Sequence, residues 1–404
     1  MASKLPRKRI LFVINSLAGG GAERVLLELI GASRQFLSDY DISLALLDDE
    51  AKEYTPPPWL HIHQLNGRFK LIQSIRELLK LARAERPDLT LSFLTRANIA
   101  SVAVARMLGH KAIISERVNT SGHFAHGIAA RLSKAMVRTI YPHADRIIAV
   151  SDGIAEDLER NFSVPGSRLV TIPNPVDSDR INLAAAEEMT LPVDGPYIVA
   201  VSRLSKNKNV ILLTDALAAS GLKLPLVILG QGPEHDEIKA RAKTLGVEDR
   251  IVLAGFAANP YPVMRAASCY VSASNAEGFP NGLVEALALG LPVVATNCPS
   301  GPSEILAKAR REEIDGIHIG ENGILVPQND ALGVAEGLRL ALEPERARAL
   351  AIAGPRRAGD YSLNAARDLY WKVIEQCLGE ARSTPPASRH SRAAATVIAS
   401  DKPN

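Results

Sequence analysis

Short runs of apolar, β-branched residues alternate with amphipathic stretches of helical length along most of this chain, in two successive series. Apolar runs bounded by turn residues predict buried strands, and the stretches between them predict helices. This alternation is typical of parallel sheets covered by helices. The predicted strands are residues 10–14, 42–47, 89–93, 112–115 and 146–150 in the first series, and 197–201, 226–229, 251–253, 269–272 and 292–295 in the second.

The two series are separated by a proline-containing stretch with little periodicity. The pattern falters at residues 173–176, which predicts a first α/β domain at residues 1–178 and a linker at residues 179–196. The second α/β domain is predicted at residues 197–362, and a last amphipathic helix at residues 363–382. Residues 383–404 are rich in Ser, Ala, Pro and Arg and have no apolar period, so we expect a disordered tail.

Composition narrows the class of protein. The 404 residues are 47% hydrophobic and 23% charged, which excludes a disordered, collagenous or coiled-coil chain. The net charge of +3 gives no overall attraction to nucleic acid, and we expect no nucleic-acid partner. Three cysteines, Cys269, Cys298 and Cys377, lack metal-ligand spacing, which indicates a reducing compartment. Neither a membrane-spanning run nor a signal-peptide core is present, so we expect a cytoplasmic protein.

A glycine-rich loop follows the first predicted strand and opens a helix. Its glycines, Gly19, Gly20 and Gly21, would let backbone amides approach an anion at the positive end of the helix. A dinucleotide fingerprint would place glycine where Arg24 stands, which argues against an oxidoreductase. The loop is therefore a candidate contact for phosphate or substrate, and the alternative is that its glycines serve only the turn.

A basic loop follows the first strand of the second series. Ligands of such sheets bind at the carboxyl ends of strands, so Arg203 and Lys208 are expected to project into the crevice between the domains. A planar guanidinium and a point-charged ammonium suit a diphosphate. The alternative is a solvated basic loop.

The most specific motif runs from Glu277 to Glu285, two carboxylates at the ends of a nine-residue segment. We predict Glu277 in a loop and Glu285 in the first turn of a helix, so both can face one ligand. Carboxylates accept hydrogen bonds from sugar hydroxyls, and the amides at the helix start can bind phosphate. The alternative is a solvated Glu277 and a Glu285 that only favours the helix dipole.

These motifs together resemble the retaining family-four glycosyltransferases, which have the GT-B fold. Glu277 to Glu285 is similar to the E-x7-E signature of that family, the glycine loop to its N-terminal loop, and Arg203 with Lys208 to its diphosphate clamp. The run Gly230, Gln231, Gly232, Pro233 is similar to its GxGP turn. The segments Ser115, Glu116, Arg117 and Cys298 to Glu304 resemble the bacterial branch that builds lipopolysaccharide, O-antigens and lipid-linked glycans.

The resemblance implies two Rossmann-like domains that face each other across a cleft, with the C-terminal helix crossing back to the first domain. It implies that Glu285 holds the ribose hydroxyls, that Arg203 and Lys208 neutralise the departing diphosphate, and that Glu277 binds a hydroxyl of the donor sugar. Glu277, Arg203 and Lys208 are the expected catalytic residues. The residues expected to bind the donor are Gly20, Gly21, Arg203, Lys208, Phe256, Asn281, Gly282, Leu283 and Glu285.

The acceptor side departs from the family pattern. Many members carry a histidine where this chain has Glu116 and Arg117, and His123 or His126 could substitute for it. All four are candidate acceptor residues, and ordinary surface histidines are the alternative. The resemblance implies that the acceptor attacks the sugar from the face that the diphosphate vacates, and that the diphosphate takes the proton of the acceptor. No Asp-x-Asp motif stands where a bound cation is expected, so we predict a reaction with no metal and no other cofactor.

Residues 60–150 carry fourteen Lys and Arg against five Asp and Glu. Two predicted helices, within residues 68–86 and 129–140, have apolar residues on one side and cations on the other, which suits an anionic membrane surface. In the first helix the apolar side comprises Phe69, Ile72, Ile75, Leu78 and Leu79. The alternative is a pair of core-facing helices with solvated basic faces.

The leading hypothesis is a peripheral membrane glycosyltransferase at the inner face of the plasma membrane. It would move a hexose or N-acetylhexosamine from a nucleotide diphosphate sugar, with UDP expected as the nucleotide, to a lipid-linked glycan or lipopolysaccharide. The alternatives are a nucleotide-sugar epimerase of the same architecture and a non-catalytic carbohydrate- or nucleotide-binding protein.

Overall fold

The computed structural model describes residues 6–123 and 128–380, which form two α/β halves with one seven-stranded sheet each. The strands of the first sheet are Lys8–Ile14 (β1), Tyr40–Leu46 (β2), His61–Gln64 (β3), Leu89–Phe93 (β4), Lys111–Glu116 (β5), Arg146–Ala149 (β6) and Leu169–Thr171 (β7). Their order in the sheet is β3-β2-β1-β4-β5-β6-β7, and all neighbours are parallel. The central strands are buried because helices cover both faces.

The first half contains seven α-helices in the described residues. They are Gly21–Ala32 (α1), Leu71–Glu85 (α2), Thr95–Leu108 (α3), Thr120–His123 (α4), Ile128–Ile140 (α5), Asp152–Phe162 (α6) and Ser178–Ala184 (α7). Apolar residues of α2 and α3 pack on one face of the sheet, and those of α1 pack on the other. The first half is therefore a three-layer α/β unit.

The second half repeats this plan. Its strands are Ile198–Val201 (β8), Leu226–Leu229 (β9), Ile251–Gly255 (β10), Cys269–Ser272 (β11), Val293–Thr296 (β12), His318–Ile319 (β13) and Ile324–Val326 (β14). Their order is β10-β9-β8-β11-β12-β14-β13, and β13 alone is antiparallel to its neighbour. Its helices are Val210–Ser220 (α8), His235–Thr244 (α9), Tyr261–Ala266 (α10), Asn281–Ala288 (α11), Pro302–Leu306 (α12), Ala331–Ala341 (α13) and Pro344–Gly359 (α14).

A final helix, Leu363–Gly379 (α15), packs on the first half. Trp371 is 2% exposed, its ring stacks on Phe36 with 3.9 Å between ring centroids, and its Nε1 donates to Ser33 Oγ at 2.7 Å. Just before this helix, Val176 N donates to Tyr361 O at 2.7 Å. The chain thus passes between the halves twice at neighbouring points, and α15 covers one face of the first sheet.

Each of the ten predicted strands overlaps a strand of the structure, which confirms the α/β class with two Rossmann-like halves. The sequence analysis missed the edge strands β3, β7 and β13 and the short strand β14. Most of α7 lies within the predicted linker, and the helix start is capped by Asp177, whose side chain accepts from Arg180 N at 3.0 Å. The predicted disordered tail, residues 383–404, lies outside the described residues.

Candidate functional site

The carboxyl ends of the two sheets face each other, and loops from both halves meet there. A Cβ atom at Gly21 would lie 2.7 Å from Asn281 Nδ2, and one at Gly278 would lie 2.0 Å from the backbone O of Arg117. Asn174 Nδ2 also donates to Asn281 Oδ1 at 2.7 Å. The contact with the backbone O of Arg117 requires glycine at position 278, whereas the Asn281 side chain can shift to admit a Cβ at position 21. These contacts place the predicted donor residue Asn281 at the boundary between the halves.

Glu277 and Lys208 are brought together at this edge. Lys208 Nζ donates to Glu277 Oε1 at 2.5 Å, and Ser274 Oγ donates to the same oxygen at 2.6 Å. The side chain of Glu277 is 10% exposed, and that of Lys208 is 28% exposed. The side-chain hydrogen bonds of Glu277 within the described chain all reach Oε1, which leaves Oε2 for a ligand hydroxyl.

Asparagines hold the two loops that carry this pair. Asn275 N donates to Asn207 O at 2.7 Å, and Asn207 Nδ2 donates to Ala276 O at 2.8 Å. The loops follow β8 and β11, which are parallel neighbours, so their ends lie side by side. The backbone thus fixes the position of Lys208 relative to Glu277. The sequence analysis did not assign a role to either asparagine.

Arg203 is exposed on the loop after β8. The glycines of the GxGP turn support this loop, because a Cβ at Gly230 would lie 1.8 Å from Ser202 O and one at Gly232 would lie 2.2 Å from Leu204 O. Burial raises the pKa of Glu23, and the charges of Arg117 and Arg203 oppose that rise. Arg203 therefore lies within electrostatic range of α1, across the boundary between the halves.

Glu285 is buried in the second turn of α11, with 7% of its side chain exposed. The prediction that it lies in the first turn is wrong, because the helix begins at Asn281, directly after Pro280. Arg24 Nη2 donates to Glu285 Oε1, and Arg24 Nη1 donates to the hydroxyl of Tyr261 at 3.1 Å. The carboxylate predicted to bind ribose is thus paired with an arginine of the first half.

The helix start offers fewer free amides than we expected. The N–H groups of Leu283 and Val284 donate to Pro280 O at 3.0 and 3.3 Å. The side chain of Leu283 is fully buried in the core, so only its backbone is placed to contact a donor. Asn281 and Gly282 are partly exposed at the helix start, where an anion can approach.

Phe256 projects into solvent directly after β10, with 64% of its surface exposed. The preceding Gly255 has φ 77°, a left-handed conformation that other residues rarely adopt. An open aromatic ring at the carboxyl edge of the sheet suits stacking with a nucleotide base.

Glu116 does not reach the cleft. Its side chain is fully buried, Tyr141 Oη donates to Oε2, and the N–H groups of Arg117 and Val118 donate to Oε1 at 3.0 and 3.3 Å. Burial raises the pKa of its carboxyl group, and these hydrogen bonds oppose the rise. This placement corrects the expectation that Glu116 contacts the acceptor.

The side chain of Arg117 points into the first half. Its Nη1 donates to Ser115 Oγ at 3.3 Å and to Tyr370 Oη at 3.2 Å, and its Cζ lies 4.7 Å above the ring of Phe93. The backbone O of Arg117 lies against Gly278, in the loop that carries Glu277. The side chain of His123 and the whole of His126 lie outside the described residues.

The sequence analysis missed contacts that join the halves. Glu304 accepts from the N–H groups of Asp152 and Gly153 at 2.7 and 3.0 Å, so a carboxylate of the second half caps the start of α6. Burial raises the pKa of Glu304, and these hydrogen bonds oppose the rise. Tyr261 and Asn174 carried no sequence signal, whereas Arg24 lies inside a motif that we discussed only for its glycines.

The chain matches two family descriptions in succession. Residues 19–180 match Glycosyltransferase Family 4, and residues 184–357 match Glycosyl transferases group 1. The first match begins at the glycine loop. The second contains Arg203, Lys208, Glu277 and Glu285.

Two bacterial relatives cover most of the chain. The N-acetylgalactosamine-N,N'-diacetylbacillosaminyl-diphospho-undecaprenol 4-alpha-N-acetylgalactosaminyltransferase of Campylobacter jejuni is 32% identical over 347 residues, which are 83% of this chain and 90% of the relative. The lipopolysaccharide core biosynthesis glycosyltransferase LpsE of Rhizobium meliloti is 28% identical over 302 residues, 73% of this chain and 77% of the relative.

Solved structures share the fold. Anabaena HepE in complex with UDP superposes with a TM-score of 0.70 at 19% identity, over 91% of this chain and 100% of that chain. Sucrose-phosphate synthase from Thermosynechococcus elongatus gives a TM-score of 0.73 at 19% identity, over 92% of this chain and 99% of that one. Both family matches, the identity to the Campylobacter enzyme and the two-sheet architecture agree: the chain is a glycosyltransferase of family 4 with the GT-B fold.

Proposed function

We propose that this glycosyltransferase moves a hexose or N-acetylhexosamine from a UDP-sugar to a lipid-linked glycan or lipopolysaccharide, with retention of anomeric configuration. The name of the Campylobacter relative specifies a diphospho-undecaprenol glycan, that of the Rhizobium relative a lipopolysaccharide core, and HepE was crystallised with UDP. The observation that carries the proposal is the contact between Lys208 and Glu277. Glu277 lies in the loop that leads into α11, the helix that contains Glu285.

The donor is proposed to lie along the carboxyl edge of the second sheet. Phe256 stacks on the base, Glu285 accepts from the ribose hydroxyls, and Glu277 Oε2 accepts from a hydroxyl of the sugar. Lys208 and Arg203 bind the diphosphate, because both project from the loop after β8. The partly exposed starts of α1 and α11, with Gly20, Gly21, Asn281 and Gly282, add backbone amides.

The chemical step is proposed to occur on one face of the sugar. The acceptor oxygen bonds to the anomeric carbon while the bond from that carbon to the diphosphate oxygen breaks. The departing diphosphate takes the acceptor proton, so UDP leaves and the new bond keeps the original configuration. Negative charge develops on the diphosphate, where Lys208 and Arg203 stabilise it. These two cations supply what a metal supplies elsewhere, so we propose that the reaction requires no metal.

Assays with four donors and two acceptors test this function. The protein is incubated with UDP-glucose, UDP-galactose and their N-acetyl forms, each with a diphospho-undecaprenol glycan or a lipopolysaccharide core. We expect UDP release that depends on an acceptor, an axial anomeric linkage by NMR, and full activity in EDTA. Release without product, an inverted linkage or loss of activity in EDTA would reject the corresponding part of the proposal.

The same assays address the two alternatives. The comparisons do not favour an epimerase, because the two relatives described above are transferases. Conversion of a UDP-sugar without acceptor would nevertheless reveal that activity. Nucleotide binding by calorimetry without turnover on any acceptor would indicate a non-catalytic binding protein.

We further propose that α2 and α5 contact an anionic membrane at the inner face of the plasma membrane, where the acceptor is held. Among the described helices, none is long and apolar enough to cross a bilayer. Both helices pack against α3 and present exposed cations. Exposed apolar side chains accompany these cations: Phe69 is 67% exposed, Ile72 is 68% exposed and Leu132 is 60% exposed.

This exposure corrects the expected apolar side of α2. Leu78 is buried, and Ile75 and Leu79 are partly buried, as a core-facing side requires. Phe69 instead precedes the helix with φ 55°, and Ile72 lies in its exposed first turn. An aromatic ring and cations on one surface are typical of interfacial attachment.

Reversal of two exposed charges on α2 is expected to weaken vesicle binding. Each basic residue near an anionic surface contributes about 1 kcal/mol, so Arg76→Glu with Lys80→Glu should lower affinity by about 30-fold or more. Sedimentation with phosphatidylglycerol vesicles measures the effect. The matched control, Lys239→Glu with Lys243→Glu on α9, should bind like the unmodified protein. Equal losses in both double variants would contradict a surface centred on α2.

A further inference from the structure

The ion pair between Arg24 and Glu285 joins the two halves at the proposed ribose site. Arg24 lies in the first turn of α1, and Glu285 lies in α11 with 7% of its side chain exposed. The contact uses one guanidinium nitrogen, Nη2, and one carboxylate oxygen, Oε1. Arg24 Nη1 donates to Tyr261 Oη at 3.1 Å. The side chain of Arg24 therefore lies directly on the carboxylate that the donor is proposed to use.

Arg24 is incompletely satisfied in this position. Its Nε is buried and has no hydrogen-bond partner among the described residues. A guanidinium reaches its strongest pairing with a carboxylate through two parallel hydrogen bonds, and only one is made here. An unsatisfied buried donor costs free energy, so this arrangement of Arg24 is poorer than a fully paired one.

A second carboxylate lies within reach of Arg24. Glu28 is one helical turn further along α1, and its Oε1 is 4.0 Å from Arg24 Nε. The same oxygen already accepts from Arg180 Nη2 at 2.8 Å, so Glu28 remains in place whichever carboxylate Arg24 uses. Rotation of the Arg24 side chain toward Glu28 would release Glu285 Oε1 while the charge of Arg24 keeps a partner.

We propose that the side chain of Arg24 pairs with Glu285 in the absence of donor, and that the ribose of the nucleotide sugar displaces it from that carboxylate. This inference rests on the proposed function, because it assigns the ribose hydroxyls to Glu285. Displacement exchanges a contact between the two halves for a contact with the donor.

Displacement has a measurable cost in affinity. A ligand that binds only one of two conformations has its apparent Kd raised by the inverse of the competent fraction. If Arg24 occupies Glu285 about nine-tenths of the time, the apparent Kd for UDP is about tenfold higher than without the pair. Removing Arg24 should tighten UDP binding, and removing its second partner Glu28 should weaken it.

Calorimetric titration with UDP tests these opposite effects. We expect Arg24→Met to bind UDP about tenfold more tightly than the unmodified protein and Glu28→Gln to bind more weakly. Arg24→Lys keeps the charge and should bind like the unmodified protein. Arg241→Met removes an arginine that pairs with Asp215 at 2.6 Å elsewhere in the second half, and this matched control should leave the Kd unchanged. Equal or weaker binding of UDP to Arg24→Met would overturn the proposal.

Steady-state kinetics separate displacement from a general structural role. The KM for the donor should fall in Arg24→Met without a rise in kcat, whereas a damaged fold lowers kcat. If Arg24→Met does not fold, a crystal structure of the unmodified protein with UDP decides the matter. Ribose bound to Glu285 with Arg24 displaced supports the proposal, and an intact pair beside bound UDP overturns it. Failure of the acceptor assays rejects the proposed function, whereas unchanged UDP affinity in Arg24→Met rejects displacement alone.

Discussion

Replacement of Lys208 by alanine is expected to lower kcat/KM for sugar transfer by about 10²–10³-fold, equivalent to about 3–4 kcal/mol. The ammonium group of Lys208 lies 2.5 Å from Glu277 and projects from the loop after β8, where the diphosphate is proposed to leave. Its loss removes the positive charge that stabilises the departing diphosphate. It also leaves Glu277, whose side chain is only 10% exposed, without its cationic partner. UDP release measured with saturating acceptor determines the loss.

Lys206 provides the matched control for this experiment. It is exposed on the same loop, and its backbone O accepts from Asn275 Nδ2 of the neighbouring loop at 3.0 Å. Lys206→Ala should retain activity within about threefold, since surface substitutions change free energies by about 0.5 kcal/mol. If the activity of Lys208→Ala were close to that of Lys206→Ala, Lys208 would not be a catalytic residue. Thermal unfolding of both variants excludes loss of fold as the cause.

Replacement of Trp371 by alanine is expected to reduce the free energy of unfolding by about 3–5 kcal/mol, the range for buried aromatic residues. Trp371 joins α15 to the first half by stacking on Phe36 at 3.9 Å and by donating to Ser33 Oγ at 2.7 Å. Alanine leaves a cavity between α15 and residues 33–40 and removes the hydrogen bond to Ser33.

Urea denaturation measures this effect when unfolding is monitored by the circular dichroism of the backbone, because that signal does not depend on the tryptophan that is removed. The neighbouring Lys372 is exposed, so Lys372→Ala is the control and should change the free energy of unfolding by no more than about 0.5 kcal/mol. Indistinguishable denaturation curves for Trp371→Ala and Lys372→Ala would show that α15 does not stabilise the first half.

Periodicity identified the inner strands because parallel strands covered on both faces are rich in apolar residues, and β8 and β9 are apolar throughout. The edge strands gave weaker signals. In β3 the sequence HIHQ has no buried residue, and β7 and β13 are only three and two residues long. Their pairing is set by neighbouring strands, which single-sequence patterns do not record.

The sequence likewise predicted some contacts of the candidate site and missed others. Lys208 and Glu277 meet because their strands are neighbours, and the resemblance to the glycosyltransferase family had implied that both side chains bind the same donor. Glu116 was misplaced because its side chain is fully buried against Tyr141, 25 residues away in sequence. The Arg24–Glu285 pair spans 261 residues, and such distant pairings follow from tertiary structure alone.

A comparison of UDP with 2′,3′-dideoxy-UDP tests the central claim, that Glu285 holds the ribose of the donor. A hydrogen bond to a charged acceptor contributes about 1.5–3 kcal/mol, so the unmodified protein should bind UDP at least about tenfold more tightly than the dideoxy analogue. In Glu285→Gln this difference should shrink to less than about threefold, because the hydroxyls lose their charged acceptor. A Glu285→Gln variant that still discriminates the two nucleotides by tenfold would contradict the claim.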